Sequence, residues 1–207
     1  MSFNSKQYWK NRYKKGGDSG AGSGGRLAAF KAEVINAFVK QHDIQSVVEL
    51  GVGDGRQLNL ADYPAYIGLD ISKEAINQCE SMFGDDSTKQ FAQLTKLNKL
   101  LHFNDWVCEL SLSLDVIYHL VEDAVFEQYM TDLFKLANRF VIIYSSNKDS
   151  ETSMAHVKDR QFSDWIATNA QDWTELEVIN NPYPWRNADD DPNECSRADF
   201  YIYQKSV

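Results

Sequence analysis

Cysteine is scarce in this sequence of 207 residues, which contains three, Cys79, Cys108 and Cys195. Cysteines so far apart and odd in number match neither a disulfide framework nor the paired spacing of a zinc site. We therefore expect reduced thiols and no bound metal. The three aspartates at 189–191 lack the regular ligand spacing of a calcium loop, so they are interpreted as a solvated loop.

Long hydrophobic runs and an excess of positive charge are also missing. No apolar run approaches the length that crosses a bilayer, and the first ten residues lack the hydrophobic segment of a secretory signal. The 21 basic and 30 acidic residues give a formal charge of -9, which repels polyanions. We therefore expect a cytoplasmic protein with no membrane association and no long nucleic-acid partner.

The residues that are present fit one globular domain with an N-terminal appendage. Hydrophobic residues make up 43% of the chain and charged residues 25%, which is ordinary for a soluble domain of this length. The beginning differs, because Trp9, Arg12 and their neighbours are aromatic or basic, and six of the eleven glycines lie at 16–25. We predict a helix and a glycine-rich lid or linker at 1–26, and the functional domain at 27–207.

Apolar stretches alternate with helical patterns through most of the chain, which predicts an open α/β sheet with helices on both faces. Strands are predicted at 46–50, 66–70, 90–94, 109–114 and 139–144, and helices at 27–42, 72–83 and 125–137, with Ser72 as a helix N-cap. After a helix built on 162–166, the segments at 173–179 and 198–204 predict an antiparallel pair at the edge of this sheet.

A glycine-rich turn follows the first predicted strand. Gly51, Gly53 and Gly55 allow the backbone to turn tightly and to approach a ligand closely. Ligands of doubly wound sheets bind beyond the carboxyl ends of the strands, and Asp70 ends the next strand, where an acidic residue can bind a ribose diol. The pattern therefore predicts a site for a nucleoside cofactor.

The residues around this turn favour one nucleoside cofactor over another. A dinucleotide site has its third glycine at the sixth position from Gly51, and that position is Arg56. Glu49 precedes the turn, and its charge would oppose a pyrophosphate but suit a ligand that carries an ammonium and a sulfonium. The sequence therefore favours S-adenosylmethionine (SAM) over NAD.

Three segments together resemble the class I SAM-dependent methyltransferases. Residues 48–55 resemble the first motif of this family, 67–72 its second and 112–120 its fourth. The resemblance implies a seven-stranded, mostly parallel, doubly wound sheet of the Rossmann-like methyltransferase fold, with a C-terminal antiparallel strand pair. It also implies an enzyme that moves a methyl group from SAM to a small-molecule acceptor.

The resemblance also implies roles for particular residues of the cofactor site. The residues that it assigns to the cofactor are Glu49, Gly51 and Gly53 for the methionine part, Asp70 for the ribose hydroxyls, Ile71 beside it, and Asp115 near the transferred methyl. Trp9 and Arg12 resemble the N-terminal helix that covers the cofactor in some small-molecule members. The alternative for these two is a packing aromatic and a solvated surface charge.

The acceptor side is predicted from the residues after the fourth strand. Asp115 and Tyr118 match the D-P-P-Y pattern of enzymes that methylate planar amino nitrogens, but both prolines are absent, so an oxygen acceptor is expected. His119 is the candidate base beside the catalytic Asp115, with a helix-capping role as the alternative. Tyr118, His156 and Arg160 are candidate substrate contacts, and for the last two the alternative is an ordinary surface position.

Two other functions stay open at this point. A nicotinamide oxidoreductase could use a similar sheet, although Arg56 occupies the position of the third glycine of a dinucleotide site. A non-catalytic member could bind SAM only to shape a surface for a partner. The sequence indicates neither the acceptor, nor the adenine contact, nor the oligomeric state.

Overall fold

The computed structural model describes residues 3–94, 106–150, 154–187 and 189–206. The strands are β1 Val47–Leu50, β2 Tyr66–Asp70, β3 Lys89–Gln93, β4 Cys108–Leu114, β5 Ala137–Ser145, β6 Trp173–Ile179 and β7 Asp199–Lys205. The helices are α1 Ser5–Lys14, α2 Gly25–Gln41, α3 Lys73–Phe83, α4 Asp123–Lys135 and α5 Phe162–Asn169.

The seven strands form one sheet in the order β3-β2-β1-β4-β5-β7-β6. Neighbouring strands from β3 to β5 are parallel, and β7 is antiparallel to both β5 and β6. Every predicted strand is present, with ends that differ by at most two residues from those predicted. The predicted antiparallel pair at the C-terminal end is confirmed.

The core lies on both faces of this sheet because the central strands are apolar on both sides. All four residues of β1 are buried. On one face Val47 packs with side chains of α2 and α3, such as Ile35 and Ile76. On the other face Val48 packs with side chains of α4 and α5, such as Met130. The short apolar runs of the sequence therefore correspond to buried parallel strands.

Helix α3 begins where the sequence predicts. The Ser72 hydroxyl accepts a hydrogen bond from the backbone N–H of Ala75 at 3.3 Å, which confirms Ser72 as the N-cap. Because Ser72 follows β2 closely, this cap fixes the connection beside Asp70.

Residues 5–24 contain α1 and most of the glycine-rich segment, and we call them the N-terminal lid. This lid packs on the rest of the chain, and α2 begins at Gly25, two residues before the predicted boundary at 27. The assignment of the N-terminal segment as a unit separate from 27–207 stays a prediction.

No helix of the described chain is long and apolar enough to cross a membrane. Among the residues that the structure describes, no three or more His, Cys, Asp or Glu side chains form a group that could hold a metal ion.

Candidate functional site

A cavity lies where the carboxyl ends of β1, β2 and β4 meet, beneath the N-terminal lid. Eight of the residues predicted for the site line it, namely Trp9, Glu49, Gly51, Gly53, Asp70, Ile71, Asp115 and His119. This position follows from the parallel topology, which places the carboxyl ends of neighbouring strands at one edge.

The glycine turn after β1 needs glycine for its conformation and for its close contacts. Gly51, Gly53 and Gly55 have φ angles of 94°, 62° and 80°, in the left-handed region that side chains disfavour. A Cβ atom on Gly51 would come within 2.5 Å of Val116 Cγ2, and one on Gly53 would collide with Ser19. The turn therefore brings bare backbone to the cavity wall.

Asp70 ties this turn to the end of β2. Its Oδ2 accepts a hydrogen bond from the backbone N–H of Gly53 at 3.1 Å, and its Oδ1 accepts one from Ser72 at 2.8 Å. Burial raises the pKa of Asp70 to about 6, although these backbone donors act in the opposite direction. A carboxylate oxygen can accept more than one hydrogen bond, so Asp70 can still receive ligand hydroxyls.

Glu49 supplies a second buried carboxyl group at the end of β1. Its Oε2 accepts a hydrogen bond from the Tyr66 hydroxyl at 2.6 Å. Burial raises the pKa of Glu49 to about 7, while the Tyr66 hydrogen bond and the charge of Lys31 act to lower it. A cation in the cavity would stabilise the ionised form of Glu49.

Asp115 follows β4 and is held from two sides. The Nζ atom of Lys31 lies 2.6 Å from its Oδ2, and the Tyr118 hydroxyl donates to its Oδ1 at 2.8 Å. Asp115 has a φ of 59°, a strained conformation that is concentrated at functional sites. Tyr118 therefore orients Asp115 and does not itself line the cavity.

Lys31 is a site residue that the sequence reasoning missed. It lies on α2, is 1% exposed and lines the same cavity. A signal was available, since Lys31 is four residues from both Leu27 and Ile35, on the apolar face of the helix. A lysine is rarely buried unless it is paired, so its place on that face indicates a partner.

The N-terminal lid is fastened to the glycine turn by polar contacts. The backbone N–H of Ser19 donates to Asp54 Oδ2 at 3.0 Å, and the backbone N–H of Asp54 donates to Ser19 Oγ at 2.9 Å. Asp18 forms ion pairs with Arg12 and Arg56, at 3.0 and 2.5 Å. Arg12 is therefore directed to Asp18, outside the residues that line the cavity.

A second anchor holds the beginning of α1. Both oxygens of the Glu122 carboxylate are acceptors here, with the backbone N–H of Ser5 donating to Oε1 at 3.0 Å and its hydroxyl donating to Oε2 at 2.5 Å. Trp9 and Tyr13 lie between the two anchors and line the cavity. The lid therefore spans the cavity from the loop after β4 to the glycine turn.

His119 lies between the lid and the loop after β4. Its Nδ1 is 3.0 Å from the backbone carbonyl oxygen of His156, whose ring stacks on it at 5.6 Å. Trp9 contacts it edge to face at 4.8 Å. Burial lowers the pKa of His119 to about 4, so the ring is neutral at physiological pH.

The remaining substrate candidates lie behind this layer. The His156 ring stacks between His119 and Tyr8, and His156 does not line the cavity. The Arg160 guanidinium donates to the carbonyl oxygens of Leu120 and Val121 and pairs with Asp123, and Arg160 does not line the cavity. Direct substrate contact by Tyr118, His156 and Arg160 stays a prediction.

Comparisons with known proteins agree on the architecture. The N-methyltransferase NodS from Bradyrhizobium japonicum WM9, in complex with S-adenosyl-l-homocysteine (SAH), superposes with a TM-score of 0.70 at 12% identity, over 99% of this chain and 100% of NodS. The fold is that of the class I methyltransferases.

Two further structures share this methyltransferase fold. Magnesium protoporphyrin IX methyltransferase (ChlM) from Synechocystis PCC 6803, with bound SAM, gives a TM-score of 0.66 at 13% identity, covering 100% of this chain and 99% of ChlM. The methyltransferase domain of bacterial CtHen1-C gives a TM-score of 0.63 at 16% identity, over 86% of this chain and 97% of that domain. The sequence matches no family model and no curated protein. Identities this low establish the fold alone, and the predicted seven-stranded methyltransferase sheet is confirmed.

Proposed function

We propose that the protein is a SAM-dependent methyltransferase that transfers a methyl group to an oxygen atom of a small-molecule acceptor. The observation that carries this proposal is the charge around the cavity beneath the glycine turn. Four carboxyl groups line this cavity, and two ammonium groups face them, that of Lys31, which is buried, and that of Lys6, which is exposed. The carboxyl groups belong to Glu49, Asp70, Asp115 and Asp132. Such a cavity suits a cationic sulfonium and opposes a pyrophosphate.

The residues present fit SAM along the length of the cavity. Asp70 has acceptor capacity left for the ribose hydroxyls, and Ile71 and Leu94 provide apolar surface beyond it for the adenine ring. Among the described residues, Tyr66 is the one hydrogen-bond donor to Glu49, on Oε2, which leaves Oε1 for the ammonium of the methionine part. SAM supplies a methyl group that is already activated on a sulfonium, and NodS and ChlM were crystallised with SAH and SAM.

His119 is the proposed base for a hydroxyl acceptor. A carbonyl oxygen can only accept a hydrogen bond, so the contact with His156 places the ring proton on Nδ1 and the lone pair on Nε2. Because burial keeps this imidazole neutral, the lone pair is free to accept the proton of the acceptor. Asp115 lies on the same cavity wall and is proposed to contact the transferred methyl or the acceptor.

The other predicted residues are proposed to act through their neighbours. Arg12 holds the lid through Asp18, while Tyr118 orients Asp115. Trp9 covers the cavity directly, so a closed lid excludes water and aligns the acceptor with the methyl group. Alignment is the main requirement of an in-line displacement at an activated sulfonium.

The test is isothermal titration of the purified protein with SAM, SAH and NAD, followed by an assay of SAH release. We expect SAM and SAH to bind and NAD to give no heat. The acceptor assay uses matched pairs of small aromatic compounds that differ by hydroxyl or amino group, and hydroxyl compounds are expected to be methylated. Binding of NAD without SAM would contradict the proposal, and SAM binding without turnover on any acceptor would favour the non-catalytic function.

A further inference from the structure

Lys31 is the buried cation of the cavity, and Asp115 accounts for only part of its bonding capacity. An ammonium group has three N–H donors. Among the described residues, Asp115 Oδ2 is the one hydrogen-bond acceptor of Lys31 Nζ, at 2.6 Å. The ammonium also lies 5.4 Å from the centre of the Tyr144 ring, which stabilises its charge without accepting a normal hydrogen bond.

A buried ammonium with unused donors favours a ligand that supplies a further acceptor. Burial of an ionised group is costly unless the group is paired and hydrogen-bonded. Lys31 is 1% exposed, yet it lines the cavity, so a ligand in this space can supply the further acceptor. An anionic oxygen is the acceptor that satisfies them best.

The neighbouring carboxyl group identifies the kind of anion. Glu49 lines the same cavity, close enough to Lys31 for the lysine charge to lower the pKa of its carboxyl group. Its Oε2 accepts a hydrogen bond from Tyr66, and no described residue donates to Oε1. An available carboxylate oxygen beside available ammonium donors is complementary to a zwitterion, whose ammonium and carboxylate are a few bonds apart.

We propose that Lys31 binds the carboxylate of the amino-acid part of the cofactor, while Glu49 binds its ammonium. This inference rests on the proposed function, because it assumes SAM in the cavity. It gives the cation on α2 a role in selecting SAM over a cofactor without a carboxylate. Arg12, the cation that the sequence analysis assigned to the cofactor, is instead bonded to Asp18.

The experiment compares SAM with decarboxylated SAM, two cations that differ only in the carboxylate. Dissociation constants are measured by titration calorimetry for the wild type, Lys31→Met and Lys31→Arg. A charge-assisted hydrogen bond predicts that the wild type binds SAM about tenfold to a hundredfold more tightly than the decarboxylated compound. Lys31→Met should lower this preference to near unity by weakening SAM binding alone, and Lys31→Arg should keep part of it.

Two further variants separate this role from a structural one. Lys31→Met leaves the partly buried Asp115 without its cationic partner, which can destabilise the fold. The double variant with Lys31→Met and Asp115→Asn removes both charges, and it should also lose the preference while keeping its circular dichroism spectrum. Lys6 is exposed but lines the same cavity, so Lys6→Met is the matched control and should keep the preference.

Several results would overturn the inference. A folded double variant that still prefers SAM as strongly as the wild type would exclude Lys31 as the carboxylate ligand. Loss of the preference in Lys6→Met alone would assign the carboxylate to Lys6. Equal binding of the two compounds by the wild type would remove the carboxylate site and leave the proposed function intact, whereas a wild type that binds neither compound would refute both.

Discussion

At the scale of single residues, Asp70 joins the glycine turn to the proposed ribose site. Asp70→Ala removes the carboxylate and should weaken SAM binding about tenfold to a hundredfold, because two charge-assisted hydrogen bonds to the ribose are lost. Asp70→Asn is the matched control, since it keeps the volume and one oxygen, and its loss should be smaller. Calorimetry gives the affinities and circular dichroism the fold, and unchanged affinity in a folded Asp70→Ala protein would remove Asp70 from the site.

The proposed base gives a different signature. His119→Ala should lower kcat about tenfold to a hundredfold, less than the largest effects of general bases because the pKa of His119, about 4, is far from neutral pH. The affinity for SAM should change little, since the role concerns the acceptor. At saturating SAM, kcat of the wild type should not decline as pH falls from 8 to 6, because His119 stays neutral over this range. Equal rates for the variant and the wild type would exclude His119 as the base.

Glu49 predicts a proton-linked affinity for SAM. Its pKa of about 7 in the free protein means that the carboxyl group is largely protonated at pH 6, and binding of a cation must then release this proton. The affinity should rise by up to about tenfold per pH unit between pH 5 and 7, and level off above pH 7. Glu49→Gln should bind SAM more weakly than the wild type at pH 8. Its affinity for SAM should lose the part of the pH dependence that Glu49 causes, and the part that Asp70 causes at lower pH should remain.

The measurement is a pH series of SAM titrations in two buffers with different ionisation enthalpies. Proton release appears as a difference in the observed heat between the buffers, and it should decline from pH 6 to pH 8. Lys31, Tyr66 and Asp70 act on the Glu49 carboxyl group, so their variants should move the midpoint. Identical heats in both buffers at pH 6 would contradict a protonated Glu49.

At the scale of elements, the N-terminal lid is expected to control the exchange of the cofactor. Asp18→Asn removes the charge that pairs with Arg12 and Arg56. These pairs are partly exposed and each is worth about 0.2–1 kcal/mol, so SAH should dissociate about twofold to tenfold faster. Stopped-flow fluorescence can follow dissociation through Trp9, which lines the cavity.

The control for this experiment is Asp86→Asn, which breaks a partly exposed ion pair with Lys89, the first residue of the edge strand β3. It should leave the dissociation rate unchanged. An unchanged rate in Asp18→Asn would mean that α1 is held by its other anchor, Ser5 and Glu122, and that Asp18 does not limit opening.

The elements themselves were predictable because local patterns determine them. Apolar runs located the central strands, helical spacing located the helices between them, and Ser72 located the start of α3. The docking of the glycine-rich segment was not predictable, since it depends on Ser19 and Asp54, which are 35 residues apart. Nothing in the local sequence distinguishes a linker from a loop that closes on a turn so distant.

At the scale of the whole molecule, parallel topology explains why much of the site was also predictable. Glu49, Asp70 and Asp115 belong to segments near the carboxyl ends of three neighbouring strands, so placing the strands places these residues together. Lys31 reaches the same cavity from a helix, and its partner depends on how α2 packs. The sequence could indicate that Lys31 is buried, but only the packed structure shows that it pairs with Asp115.

The buried carboxyl group of Glu49 also affects the stability of the whole fold. Its pKa is about 7 in the folded protein and 4.5 without burial, so the folded state holds the proton more tightly than the unfolded state. Below pH 4.5 both states are protonated and no free energy is lost. Between pH 4.5 and pH 7 the unfolded state ionises first, so the free energy of unfolding falls as pH rises. Above pH 7 this destabilisation reaches a constant value on the order of 3 kcal/mol.

We therefore expect the Tm of cofactor-free Glu49→Gln, relative to that of the wild type, to rise by several degrees between pH 5 and pH 8. Comparing the two proteins cancels the contribution of the histidines, which titrate in both. Glu109→Gln is the control, because a backbone hydrogen bond from Gln45 lowers the pKa of Glu109, and its Tm difference should stay constant over this range. Saturating SAM should raise the Tm of the wild type more at pH 8 than at pH 5, since the bound cation stabilises the ionised form of Glu49. A Tm difference for Glu49→Gln that does not change with pH would show that this carboxyl group is ionised in the free protein.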